Sequence, residues 1–184
     1  MSMDDYVVLV DEHNNVLGIA PKLVTHNRNT PLHRGFSVFL FNSKGKLLLQ
    51  KRGSKKKTWP LTWSNSCCGH PKLNESNLNA AKRRVKFELG IDPNNILEIL
   101  PNFSYKAEMN GIVENELCPV LIAFTKSEPK PNKNDVEDFK WIDWQKFIED
   151  IKRNPDTYSP WCRQEAKLLS NNKRFWELYG EYVK

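Results

Sequence analysis

The chain has 184 residues, enough for one domain with a complete hydrophobic core. At 39% hydrophobic and 27% charged its balance is that of an ordinary globular protein, and no apolar run approaches the roughly 18 residues a membrane-spanning helix needs. The net charge of +6 invites a nucleic-acid reading, but sign alone is weak support for one. The densest basic cluster, Lys51, Arg52, Lys55, Lys56 and Lys57, lacks the interleaved aromatics of a single-strand-binding surface. A small polyanionic substrate explains it as well.

The start, MSMDDYVVLVDEHNN, is acidic and strand-like and lacks the basic and apolar segments of a signal peptide. A cytoplasmic chain without disulfides is therefore expected. Residues 6–10 and 16–20 flank Asn14-Asn15 and read as a β-hairpin. Residues 26–31 are polar and irregular. Strands follow at 36–42 and 46–51, joined by the turn Ser43-Lys44-Gly45. Residues 53–71, rich in Trp, Pro, Ser and Lys, have no steady period and read as a long ordered loop of the kind that carries function. A helix is expected at 76–89, capped by Ser76 and stopped by Gly90. Two long strands are read at 96–106 and 111–124, then a loop at 126–134 and a short strand at 139–142. Helices are expected at 144–151 and 160–169 and through the tail to Lys184. Strands interleaved with helices make this an α/β or α+β domain.

Alternation along the strand at 111–124 puts Glu114 and Glu116 on one face, with Ile112 and Cys118 beside them. Two adjacent carboxylates repel, and a divalent cation or a shared proton offsets that cost. A solvent-facing strand edge is the plainer alternative. Three of the four histidines, His26, His33 and His70, lie in irregular segments, and imidazole with carboxylate suits Mn, Zn or Fe. The four cysteines, Cys67, Cys68, Cys118 and Cys162, lack the paired spacing of a zinc knuckle.

Gly69, Glu75, Arg83, Val85, Glu88, Gly90 and Ile91 resemble the Nudix signature, a glycine loop and helix whose glutamates hold metal against a diphosphate. Arg84 and Phe87 stand where that signature has two of its acidic residues. Arg84 and Glu88, four apart, share a helix face, either as a simple ion pair or as an arginine for diphosphate beside a glutamate for metal. The type 1 isopentenyl-diphosphate isomerases depart from the Nudix pattern in this way. The resemblance to them covers most of the chain: His26 and His33, the block Trp59 to Pro71 with Asn65-Ser66-Cys67-Cys68-Gly69-His70-Pro71, Tyr105, the run Gly111-Ile112-Val113-Glu114-Asn115-Glu116, and Ser159-Pro160-Trp161.

That resemblance implies a single domain over residues 1–184, with a Nudix-like mixed β-sheet core flanked by helices, an N-terminal hairpin and C-terminal helices. It implies interconversion of isopentenyl and dimethylallyl diphosphate through a tertiary carbocation, for isoprenoid precursor synthesis. Cys68 matches the family's catalytic cysteine and Glu116 the acid/base opposite it; Tyr105 assists protonation, and the face of Trp161 meets the cation. His26, His33, His70, Glu114 and Glu116 match a first metal site for Mn2+, Mg2+ or Zn2+, and Glu88 a second that holds Mg2+ on the diphosphate. Lys22, Arg52, Lys56 and Arg84 match the diphosphate-contacting positions. The expected partner is this small substrate, with no nucleic acid and no membrane, and the expected state a monomer or weak dimer. Two other functions compete: a Nudix diphosphohydrolase, and a basic RNA-binding module whose binding would fall steeply with salt.

Overall fold

The structure is a computed structural model and describes residues 6–93 and 95–183. The reading of residues 1–5 and of Lys184 lies outside this range. The N-terminal hairpin forms as expected, from β1 (Tyr6–Val10) and β2 (Val16–Pro21), with Asn14 at φ 65° in its turn. A one-turn helix, α1 (Lys22–Thr25), precedes the irregular stretch that carries His26. The chain then continues through β3 (His33–Arg34), β4 (Phe36–Asn42) and β5 (Lys46–Arg52).

Residues 53–71 are more ordered than a loop. They contain β6 (Trp63–Ser64), paired with β5, and β7 (Cys67–Gly69), paired with β4. Strands of two and three residues are too short to show a period. Their pairing meets the demand of buried backbone for hydrogen-bond partners. Helix α2 (Asn77–Leu89) begins with Ser76 accepting from the Asn79 N–H and ends at Gly90. Gly90 sits at φ 66°, the left-handed conformation that favours glycine at a helix end.

The two long strands expected at 96–106 and 111–124 are each two strands. They are β8 (Asn95–Leu100) with β9 (Ser104–Met109), and β10 (Ile112–Leu117) with β11 (Val120–Thr125). The breaks fall at Pro101-Asn102-Phe103 and Cys118-Pro119, where the pair of strands leaves one sheet and enters another. Proline has no N–H to continue a ladder, so a switch there loses no donor. The chain ends with β12 (Val136–Asp143), longer than the strand expected at 139–142, and helices α3 (Trp144–Arg153), α4 (Pro160–Ser170) and α5 (Lys173–Tyr182).

One sheet runs β2-β1-β3-β10-β9; the other runs β12-β5-β4-β11-β8, with β6 and β7 attached to β5 and β4. Each contains a parallel pair, β3 with β10 and β4 with β11, so both are mixed and the class is α+β. The second sheet is buried on both faces. Phe36, Val38 and Leu40 face Ala81, Val85 and Leu89 of α2. Phe39 and Phe41 face Trp144, Phe147, Trp161 and Phe175 of the C-terminal helices. This explains why β4 is apolar throughout instead of alternating. The sheets meet where β3 passes into β4 at Gly35 and β10 passes into β11 at Pro119. A Cβ at Gly35 would fall 2.1 Å from Glu116 Oε2, so only glycine lets the backbone pass this close to that carboxylate.

Candidate active site

At this junction a cavity of about 230 Å³ opens. Every site residue singled out from the sequence lines it except His33, which is buried behind it. Register explains the assembly. Glu116 lies beside His33 on β3 and opposite Tyr105 on β9, so pairing alone collects an imidazole, a carboxylate and a phenol.

Glu114 and Glu116 are each only 7% exposed. The solvent-facing alternative is therefore excluded, and their charges need partners. His33 Nε2 and His70 Nε2 approach Glu116 Oε1 at 3.6 and 3.1 Å, and His26 Nε2 approaches Glu114 Oε2 at 3.1 Å. One donor atom from each of His26, His33, His70 and Glu116 falls within 4.8 Å of the others. Glu114 stands beside this set instead of within it. Its second oxygen accepts a 2.6 Å hydrogen bond from Thr58.

The histidine tautomers test whether a metal fits. Nδ1 of His26 lies 2.9 Å from the Lys22 carbonyl, and Nδ1 of His33 lies 3.0 Å from the Pro31 carbonyl. A carbonyl only accepts, so both Nδ1 atoms carry the proton and a neutral ring keeps its lone pair on Nε2. Those lone pairs face carboxylates, and His33 Nε2 is buried without a hydrogen-bond partner. A cation between the imidazoles and the carboxylate relieves both problems. The mixed N and O donor set can hold a divalent metal.

Electrostatics agree for His70 and Glu116, while Glu114 biases His26 towards its protonated form. Burial, aided by the Lys22 charge, pushes His70 down to about 3, so its ring is neutral and free to ligate. Burial also opposes the charged form of His26, but the Glu114 hydrogen bond outweighs it and raises that pKa. For Glu116, burial opposes the charged form, but the neighbouring His33 and His70 side chains outweigh it and hold the carboxyl well below its ordinary value.

Cys68 Sγ points to the other side of its strand from Cys67. It donates to Asn65 Oδ1 at 3.1 Å and lies 3.5 Å from Ser37 Oγ. Burial, then the Glu165 charge, pushes its pKa up to about 12, so Cys68 is a thiol that keeps its proton. Burial and the charges of Glu116 and Glu114 likewise raise Tyr105 well above its usual value. The Tyr105 and Trp161 rings pack at 5.4 Å, and the Arg52 guanidinium lies 5.0 Å from the Trp161 ring centre.

The basic rim is held in place by its own partners. Lys56 pairs with Asp135 at 2.6 Å, and Arg84 pairs with both Asp135 and Glu88. Arg52 donates to the Thr58 and Trp59 carbonyls. Burial, together with Lys56 and Arg84, lowers the pKa of Lys22. Lys55 and Lys57 also line the cavity, and Lys57 donates to the Leu23 carbonyl. Glu88 is 2% exposed and meets Arg84, Gln50 and the Cys67 thiol. As a lone carboxylate it holds a hard cation only with oxygens supplied by a ligand. Phe87, 54% exposed, stacks on Arg84 at 4.9 Å, so the two departures from the Nudix signature act as a pair.

Sequence reasoning assigned no role to Ser37, Gln50, Asn65, Asp135 or Glu165. Glu165 left a readable signal: it shares the apolar stripe of α4 with Trp161, Cys162, Ala166 and Leu169. It is fully buried, and neither oxygen has a hydrogen-bond partner among the described residues. Burial pushes it up to about 8, with Ser37 easing its ionisation and the Glu116 charge opposing it. The unfolded chain releases this proton near 4.5 and the native state only near 8. Stability contributed by this group therefore falls as pH rises through that window and levels off above it. The stability advantage of Glu165→Gln over the parent is expected to widen by ~4 kcal/mol between about pH 5 and about pH 8 in urea unfolding. A gap that does not change with pH would show that Glu165 is ionised in the fold.

Comparisons with known proteins show the family. A family model described as the NUDIX domain matches residues 31–162. An isopentenyl-diphosphate Delta-isomerase of Saccharopolyspora erythraea is 43% identical over 166 residues, covering 90% of this chain and 86% of that one. Its counterpart in Rhizobium rhizogenes is 46% identical, covering 90% and 80%, and that of Salmonella typhi 40% identical, covering 93% and 95%. Among solved structures, a Deinococcus radiodurans protein superposes with a TM-score of 0.65 at 19% identity, over 81% of this chain and 90% of that one. A MutT protein of Methanosarcina mazei gives 0.53 at 20% identity, over 65% and 82%; these two likenesses show the fold alone. The chain belongs to the NUDIX domain family and, within it, to the isopentenyl-diphosphate Delta-isomerases.

Proposed function

We propose that this chain interconverts isopentenyl and dimethylallyl diphosphate, adding a proton to one carbon of the substrate and removing one from another. The observation that carries this reading is the content of one cavity: a thiol that keeps its proton, a buried glutamate and an indole, below a basic rim. An unactivated alkene is a poor base, and its protonation gives a tertiary carbocation. The site must supply an acid, a base and a face that tolerates the cation.

Cys68 and Glu116 are the two proton-transfer groups: one gives a proton to the alkene, and the other takes one from the neighbouring carbon. Tyr105, across the ladder from Glu116, assists protonation there. Trp161 presents its ring to the cation, which an indole face stabilises best among the aromatic side chains. Lys22, Arg52, Lys56 and Arg84 bind the diphosphate. His26, His33, His70, Glu114 and Glu116 hold Mn2+, Mg2+ or Zn2+, and Glu88 joins the diphosphate in holding Mg2+. A metal bound at the first site supplies positive charge that offsets the paired carboxylates and polarises Glu116. Among the described residues no helix is long and apolar enough to cross a membrane. We place the enzyme in the cytoplasm on its four free cysteines, which suit a reducing compartment.

Diphosphate hydrolysis is the competing chemistry of the wider family, but the Arg84 and Phe87 positions remove two carboxylates from the helix that would hold its metals. Incubation with nucleoside diphosphate derivatives and Mg2+ is expected to release no phosphate. Robust release would overturn the isomerase reading.

A further inference from the structure

We propose that Asn65 is the positioning residue of this site, its one side-chain oxygen holding both the Cys68 thiol and the Trp161 indole. The proposal rests on the isomerase reading for its meaning, but its geometry stands independently. Asn65 is fully buried between β6 and β7. Its amide orientation is determined by its neighbours. Nδ2 donates to the Val38 and Cys67 carbonyls at 3.3 and 3.0 Å, and both of those groups only accept. Oδ1 therefore faces the site. There it accepts from Trp161 Nε1 at 3.2 Å, from Cys68 Sγ at 3.1 Å and from Ser64 Oγ at 2.8 Å. An indole N–H can only donate, so the same orientation follows from the other side.

Ser64 spends its proton on Asn65 and so accepts one from Ser159 at 2.8 Å. Ser159 also donates its backbone N–H to the Trp63 carbonyl, which ties the start of α4 to β6. The result is one largely buried polar network that spans β4, β6, β7 and α4. Two groups proposed for catalysis come from segments 93 positions apart in the chain, and a single atom fixes their separation. Networks of this kind are costly to leave half satisfied. Asn65 should therefore act on the arrangement of the reacting groups and not on the capture of the diphosphate.

The test uses the full chain and two variants. Asn65→Leu keeps the size and removes every polar contact; Asn65→Asp keeps the accepting oxygen. Asn65→Leu is expected to lower kcat by about 100-fold with KM within about threefold, and Asn65→Asp to recover part of that loss. The indole Nε1–H resonance of Trp161, assigned by its disappearance in Trp161→Phe, should lie downfield in the parent and in Asn65→Asp. It should move upfield in Asn65→Leu. A folded Asn65→Leu with kcat near that of the parent, or with an unmoved indole resonance, would overturn the proposal. Should Asn65→Leu fail to fold, the parent spectrum still decides: an indole proton at the position of a free N–H ends it. The resonance does not depend on turnover. A parent enzyme without isomerase activity but with a hydrogen-bonded indole would count against the functional reading alone.

Discussion

Replacing Cys68 with alanine is expected to lower kcat for isomerisation by roughly 10³-fold or more, because it removes outright a group proposed to transfer a proton. Cys67→Ala is expected to stay within about tenfold of the parent. In the sequence the two thiols are neighbours, and only the Gly69-His70-Pro71 that follows separates them. The structure adds an independent reason. Successive residues of β7 point to opposite faces. Cys67 goes into the core beside α2, with its sulfur 3.4 Å from Glu88. Cys68 goes to the cavity, among Ser37, Asn65 and the Trp161 side. Losing one sulfur from Cys68 leaves the sheet pairing of β7 untouched, so Cys68→Ala should fold and keep its metal content. Kinetics on both variants, with circular dichroism and metal analysis, check this. A dead Cys67→Ala beside an active Cys68→Ala would assign the chemistry to the wrong face of β7.

Glu116→Gln carries the second large effect. The side chain is buried, faces both His33 and His70, and is held as the carboxylate. The amide keeps the shape but loses the charge, and at neutral pH it accepts no proton. kcat/KM is expected to fall by roughly 10³-fold, and metal affinity by about tenfold at least. Glu114→Gln should differ. Glu114 sits beside the four-residue donor set and is shared between His26 and Thr58. It is assigned to metal binding only, so adding metal should restore much of the activity of Glu114→Gln and little of that of Glu116→Gln. Titrating Mn2+ into each variant separates the two roles. Equal recovery would make Glu116 a ligand and nothing more.

Much of this site was legible because it rests on short-range rules. Alternation put Glu114 and Glu116 on one face, and the same alternation brings Tyr105 across to them. Ser76 and Gly90 bounded α2 within a residue of its observed ends. The strand breaks were not legible. On either side of Pro101-Asn102-Phe103 and of Cys118-Pro119 the residues suit a strand equally well. What separates them is which sheet each half joins, a matter of partners distant in sequence. The short strands within 53–71 were hidden for the same reason: two or three residues form a strand only because β4 and β5 lie ready to pair. Asn65 stood in a motif, but nothing local says that its oxygen meets an indole 96 positions later. Asp135 was missed similarly, since its partners Lys56 and Arg84 are distant in sequence and meet it only in the fold.

Incubation of the metal-loaded enzyme with isopentenyl diphosphate in heavy water, with and without chelator, tests the central claim most directly. Proton exchange through Cys68 and Glu116 is expected to place deuterium on carbon in dimethylallyl diphosphate, and chelation is expected to stop both product formation and deuterium uptake. Product formed without solvent deuterium, or equally well in chelator, would contradict the metal-dependent proton-transfer mechanism.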